Sequence, residues 1–102
     1  MPIMSVVEFP PSDLDMRAEY ERVGEELNGH PFTSLADWGG GLISHAAAPT
    51  PEGGGIVVDV WEDQASMDAW MAKVMPLTQD GPEAQVRVFE TLNVVTGAPV
   101  RA

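Results

Sequence analysis

The chain contains no cysteine. That excludes a disulfide framework, a thiolate nucleophile and every cysteine-based zinc site. It also fits a reducing compartment, so a cytoplasmic location is expected. Basic residues are scarce: five Lys and Arg face sixteen Asp and Glu, for a formal net charge of -11. Arg17, Arg22, Lys73, Arg87 and Arg101 are scattered rather than clustered. Nucleic-acid binding depends on neutralising phosphates, and anionic membranes attract the same basic clusters. Neither partner is expected. No apolar run approaches the roughly 18 residues that cross a bilayer, and no basic-then-apolar leader opens the chain. Neither a membrane span nor a secretory signal is expected. Solenoid-type repeats are absent too. A small neutral, aromatic or weakly polar ligand remains as the expected partner.

What is present suits one globular unit. The 102 residues are 44% hydrophobic and 21% charged, so a single domain over 1–102 with one core is expected. Met4 to Phe9 reads as a first strand, stopped by Pro10 and Pro11. Ser12 is positioned to cap a helix, with Asp13 and Asp15 in its first turn. Met16, Tyr20, Val23 and Leu27 define the apolar stripe of that helix. On its other face Arg17–Glu21 and Arg22–Glu26 have the spacing of ion pairs. Asn28 and Gly29 end it.

Residues 30 to 41 are irregular and carry His30, Phe32, Trp38 and a glycine triplet. A second strand is expected from Leu42 to about Ala47, and a turn through Pro49, Pro51 and Gly53 to Gly55. The third strand, Ile56 to Trp61, is almost continuously apolar. Asp63 is placed to cap a second helix whose stripe is Met67, Trp70, Met71 and Val74. Pro76 should end or kink it. A fourth strand is expected from about Ala84 to Val95, with a tail beginning at Gly97 and Pro99.

The order strand, helix, strand, strand, helix, strand is the split βαβ pattern of an α+β, ferredoxin-like βαββαβ fold. Right-handed crossovers place both helices on one face of a four-stranded antiparallel sheet in the order 4-1-3-2. The other face should then be polar in a monomer. Instead Ile56, Val58 and Val60 point one way while Val57 and Trp61 point the other. Apolar residues on both faces predict a homodimer packed sheet to sheet.

Three segments resemble the dimeric α+β barrel superfamily, within it the antibiotic-biosynthesis-monooxygenase type. They are Val6-Val7-Glu8-Phe9, Gly41-Leu42-Ile43-Ser44-His45 and Val57-Val58-Asp59-Val60-Trp61-Glu62. The resemblance spans about residues 4 to 95. It implies a homodimer with facing sheets and a small-molecule pocket between sheet and helices. The superfamily holds cofactor-free quinone-forming monooxygenases, heme degraders, cyclases, isomerases and members of no known activity. The resemblance also implies that Trp61 lines the pocket as a wall against a planar ligand; plain core packing is the other reading of that residue. Heme degraders of this type carry a histidine in the second helix and an asparagine on the first strand. This chain has neither, so no heme and no other cofactor is expected.

His45 is the leading candidate for chemistry. Antiparallel pairing of strands two and three brings it near Val58 or Asp59, depending on register. Facing Asp59, it would have one ring nitrogen held and the other left basic, as a general base requires. The alternative is a sheet histidine satisfied by backbone or water. Tyr20, Trp70 and Phe89 complete the ligand-binding candidates, each of which can equally fill a core. Two histidines without ligand spacing predict no metal site. The expected function is a small-molecule-binding homodimer that oxygenates, or moves a proton on, an aromatic or polyketide-like ligand. A non-catalytic binding or interaction dimer is the alternative.

Overall fold

The computed structural model describes residues 1–97. Along them run β1 (Ile3–Phe9), α1 (Met16–Asn28), β2 (Leu42–Pro49), β3 (Gly55–Trp61), α2 (Gln64–Thr78) and β4 (Gln85–Glu90). The four strands form one antiparallel sheet ordered β2-β3-β1-β4, the expected arrangement read from the opposite edge. The protein is therefore an α+β, ferredoxin-like fold.

Local chemistry explains most of the boundaries. Gly29 closes α1 in the left-handed conformation (φ 76°), its N–H donating to the Glu25 carbonyl. Asp63 caps α2 by accepting from the Ser66 N–H, which holds its carboxyl below the usual range. The cap of α1 differs from expectation. Asp15, not Ser12, accepts from the Arg17 and Ala18 N–H groups, and Asp13 lies ahead of the helix. Ser12 instead accepts from the Leu14 N–H in the preceding turn.

The expected Arg17–Glu21 pair does not form among the described residues. Arg22 pairs with both Glu19 (2.9 Å) and Glu26 (3.2 Å). It also donates to the Leu77 carbonyl at 2.9 Å, tying α1 to the end of α2. Pro76 does not end α2, which continues to Thr78. Ala72, whose carbonyl loses its partner to the proline, is exposed, so solvent can take the bond.

The fourth strand ends at Glu90 rather than Val95. Glu90 pairs with Ile3, the first residue of β1, so no neighbouring strand remains beyond it. One further contact, Thr91 N–H to the Pro2 carbonyl, extends the ladder. The expected start of the tail at Gly97 is described as irregular chain, and its Pro99 lies outside the described residues.

Strand alternation sorts the sheet into two faces. Ile3, Ser5, Val7, Val57, Asp59, Trp61, Leu42 and His45 share the helix-covered side. Met4, Val6, Ile56, Val58, Val60, Ala46, Ala48 and Phe89 share the other, uncovered side. The apolar character of both faces is thus real. The core sits at one end of the covered face, where Ile3, Leu42 and Trp61 meet Met67 and Trp70 of α2 and Trp38 of the preceding connection. At the other end, beneath α1 and α2, the sheet and helices part.

Candidate functional site

Between the covered face and the two helices lies a cavity of about 870 Å³. That is the size of a small-molecule site rather than a packing defect. Val7, Val57, Met71 and Val74 give it apolar walls. Its inner end, against the core, is where the polar side chains gather.

His45 reaches that place through an irregularity in β2. Leu42 pairs with Trp61 and Ser44 with Val60, so the register shifts between them. The extra residue puts His45, three positions after Leu42, on the same covered face. There His45 lies directly across from Asp59. Its Nδ1 is 2.5 Å from Asp59 Oδ1, and its Nε2 is 2.8 Å from the Tyr20 hydroxyl. A carboxylate only accepts, so Nδ1 carries the proton and donates to Asp59. In the neutral imidazole Nε2 is then the lone-pair nitrogen and accepts from the Tyr20 O–H. Asp59 is only 3% exposed, and its burial is offset by this bond.

Burial is the largest influence on the Tyr20 phenol, followed by the charges of Asp59 and then Asp37. Together they hold it above its ordinary value. The hydroxyl therefore stays protonated at neutral pH, as the donor role requires.

Rings enclose the pair. Trp38 lies against His45 with centroids 4.3 Å apart, and Phe32 stacks on Trp38 at 4.3 Å. Tyr20 meets Phe32 at 5.1 Å, and Trp70 lies 5.8 Å from Trp38. Two of these rings come from the connection after α1, which contains a 3-10 turn at Leu35–Trp38. Its glycines 39, 40 and 41 all have positive φ (83°, 118° and 80°), a path that returns the chain from Trp38 into β2. Phe32 is seated on bare backbone: a Cβ on Gly24 would lie 3.1 Å from its ring. Asp37 braces the turn by accepting from the Thr33 and Ser34 N–H groups, bonds that hold its carboxyl below the usual range.

Of the sequence candidates, the structure brings His45, Asp59, Tyr20 and Trp70 together at the cavity. Two others lie elsewhere. Trp61 is no cavity wall. It is 0% exposed at the centre of the core, its indole N–H donating to Ser5 Oγ at 3.2 Å. Trp61 faces Leu42 and Ile3 at the sealed end of the sheet, beyond the cavity. Phe89 pairs with Met4 on the uncovered face, 38% exposed beneath Arg87, with the whole sheet between it and the cavity. Phe32 and Trp38, from the long connection that could serve either as a pocket lid or as a locally packed loop, also line the cavity. The signal available was a connection rich in aromatics and glycine. His30 is remote, with its Nδ1 on the adjacent Pro31 carbonyl.

No family model matches the chain, and no curated protein matches its sequence. Solved structures do match its architecture. SnoaB, a cofactor-independent oxygenase from Streptomyces nogalater, superposes with a TM-score of 0.63 at 14% identity, covering 94% of this chain and 98% of SnoaB. Rv0793 from Mycobacterium tuberculosis gives 0.65 at 11% identity, covering 94% and 100%. A Deinococcus radiodurans protein assigned provisionally as an antibiotic biosynthesis monooxygenase gives 0.60 at 9% identity, covering 95% and 99%. Identities this low speak to architecture. With the strand order and the helix-covered sheet, they show that the chain shares the ferredoxin-like α+β fold of these proteins.

Proposed function

We propose that each cavity binds a small aromatic or polyketide-like molecule with an acidic C–H bond, and that His45, oriented by Asp59, takes up its proton. The observation that carries this reading is the His45–Asp59 pair at the inner end of an 870 Å³ cavity with apolar and aromatic walls. Apolar walls suit a planar ligand, and a low-dielectric site strengthens a base held by a buried carboxylate. The reaction we infer is a cofactor-free oxygenation, the chemistry carried by SnoaB on the same fold. Proton loss from an activated methylene leaves a carbanion whose electrons reduce dioxygen. The hydroperoxide so formed loses water. In sum, one methylene and one dioxygen become one ketone carbonyl and one water. This protein's part is to bind, to exclude water and to hold the proton.

Anthrone, a tricyclic ketone with one activated methylene, is the probe that tests the reading. In air-saturated buffer the protein is expected to convert it to anthraquinone well above the uncatalysed rate. A rate equal to that of buffer alone, with no binding of anthrone, overturns the reading.

The working unit in this proposal is a cytoplasmic homodimer. Its support is the uncovered sheet face, where Met4, Val6, Ile56, Val58 and Val60 are only half-buried in the single chain. A native mass of twice 11.0 kDa is expected. Val58→Asp puts a charge in the middle of that face, where burial without a partner is prohibitive. The variant should run as a single chain in light scattering. A wild-type monomer, or a dimer indifferent to Val58→Asp, removes the sheet-to-sheet assembly.

A further inference from the structure

We propose that the atom exchanging a proton with the ligand is the hydroxyl oxygen of Tyr20, with His45 and Asp59 acting behind it. The inference rests on the proposed function and adds a catalytic residue to it.

His45 offers the cavity no free nitrogen. Nδ1 is engaged by Asp59 and Nε2 by the Tyr20 hydroxyl. Trp38 lies against the imidazole at 4.3 Å and the Tyr20 ring stacks over it at 5.8 Å and 16°. The side chain is only 12% exposed. Tyr20 lines the same cavity from α1, and its oxygen has acceptor capacity left. After donating its proton to Nε2, its oxygen still has lone pairs to accept another. The arrangement is a three-member line, carboxylate to imidazole to hydroxyl, with the hydroxyl at the ligand end.

The transfer balances as a shuttle. The ligand's X–H bond breaks and its proton goes to the Tyr20 oxygen, while the original Tyr20 proton passes to Nε2. The electron pair stays on X. Tyr20 is a hydroxyl before and after, and one proton has moved from ligand to His45. The imidazolium charge is matched by Asp59 2.5 Å away. Running backwards, the line returns a proton to the product. Because burial and the Asp59 charge keep the phenol protonated, Tyr20 relays the proton rather than waiting as a phenolate.

Tyr20 is the single tyrosine of the chain, so a fluorotyrosine supplied during expression labels this position alone. In the anthrone assay, Tyr20→Phe is expected to lower kcat by about 100-fold or more with KM little changed. His45→Gln should lower it similarly. Phenylalanine keeps the ring contacts, and thermal melts of both variants verify folding. In protein carrying difluorotyrosine, whose phenol is more acidic, the alkaline limb of the kcat profile should move to lower pH. The charges that act on the phenol, Asp59 of β3 and Asp37 of the 3-10 turn, are unchanged by the label. His45 on β2 is likewise unchanged.

Loss of activity in His45→Gln with wild-type kcat in Tyr20→Phe overturns this inference alone, because His45 then meets the ligand directly. An unmoved alkaline limb in the labelled protein overturns it as well. Wild-type protein no faster than buffer removes the proposed function, and this inference with it.

Discussion

Trp61→Ala is expected to lower the unfolding free energy by about 3–5 kcal/mol, the range for removing a large aromatic from a core. Trp61 is wholly enclosed and touches the cluster that joins β1, β2, β3 and α2. The deletion leaves a void at the sealed end of the sheet. It also takes from Ser5 Oγ, itself 0% exposed, the indole N–H that partners it. Domains of this size are stable by only about 5–15 kcal/mol, so the variant should be partly unfolded at ambient temperature or close to it. Urea denaturation of wild type and variant measures the difference. Trp61→Phe retains most of the ring but not the N–H, and should lose about 1–3 kcal/mol. Alanine tolerated within about 1 kcal/mol would contradict the place given to Trp61 at the centre of the core.

The largest expected effect on activity is that of His45→Gln, a fall in anthrone turnover of about 10²–10⁴-fold. Glutamine can donate its amide N–H to Asp59, so the buried carboxylate keeps a partner and the fold is expected to survive. It has no basic nitrogen, so the line from Tyr20 ends with nowhere to put the proton. His45→Ala should be equally inactive and less stable, because it leaves Asp59 buried without a donor. Turnover by His45→Gln within a few-fold of wild type would refute the role given to the imidazole. Circular dichroism of the variants separates loss of chemistry from loss of fold.

Much of this architecture is legible in residue patterns because its causes are local. Met67, Trp70, Met71 and Val74 recur at helical spacing and do face the core or the cavity. Asp63 and Gly29 do their work within a few residues of themselves, at helix ends where N–H or carbonyl groups lack partners. The strand order follows from chirality alone, since right-handed crossovers leave little choice. The doubly apolar third strand likewise marked a sheet with two faces to cover.

The candidate site was half legible. Pairing β2 with β3 brings His45 close to Asp59 in sequence terms, and that meeting occurs. Which face the pair would occupy could not be read, because simple alternation from Leu42 puts His45 on the uncovered side. The bulge after Leu42 reverses that phase, and a bulge belongs to the ladder rather than to either strand. The end of β4 depended on where β1 begins. Trp61 and Phe89 looked interchangeable with Trp70 as large rings near a pocket. Only the register separates them, one into the core and one onto the opposite face.

By itself, then, the order of residues determined the elements, their topology, the two apolar sheet faces and the absence of thiol chemistry. These follow from interactions within a strand, a turn or a helix, and from chain chirality. The tertiary structure alone decided that Tyr20 from α1, His45 from β2, Asp59 from β3 and Trp38 from the intervening connection converge on one cavity. Such convergence is set by strand register and helix packing, distances that no local pattern encodes.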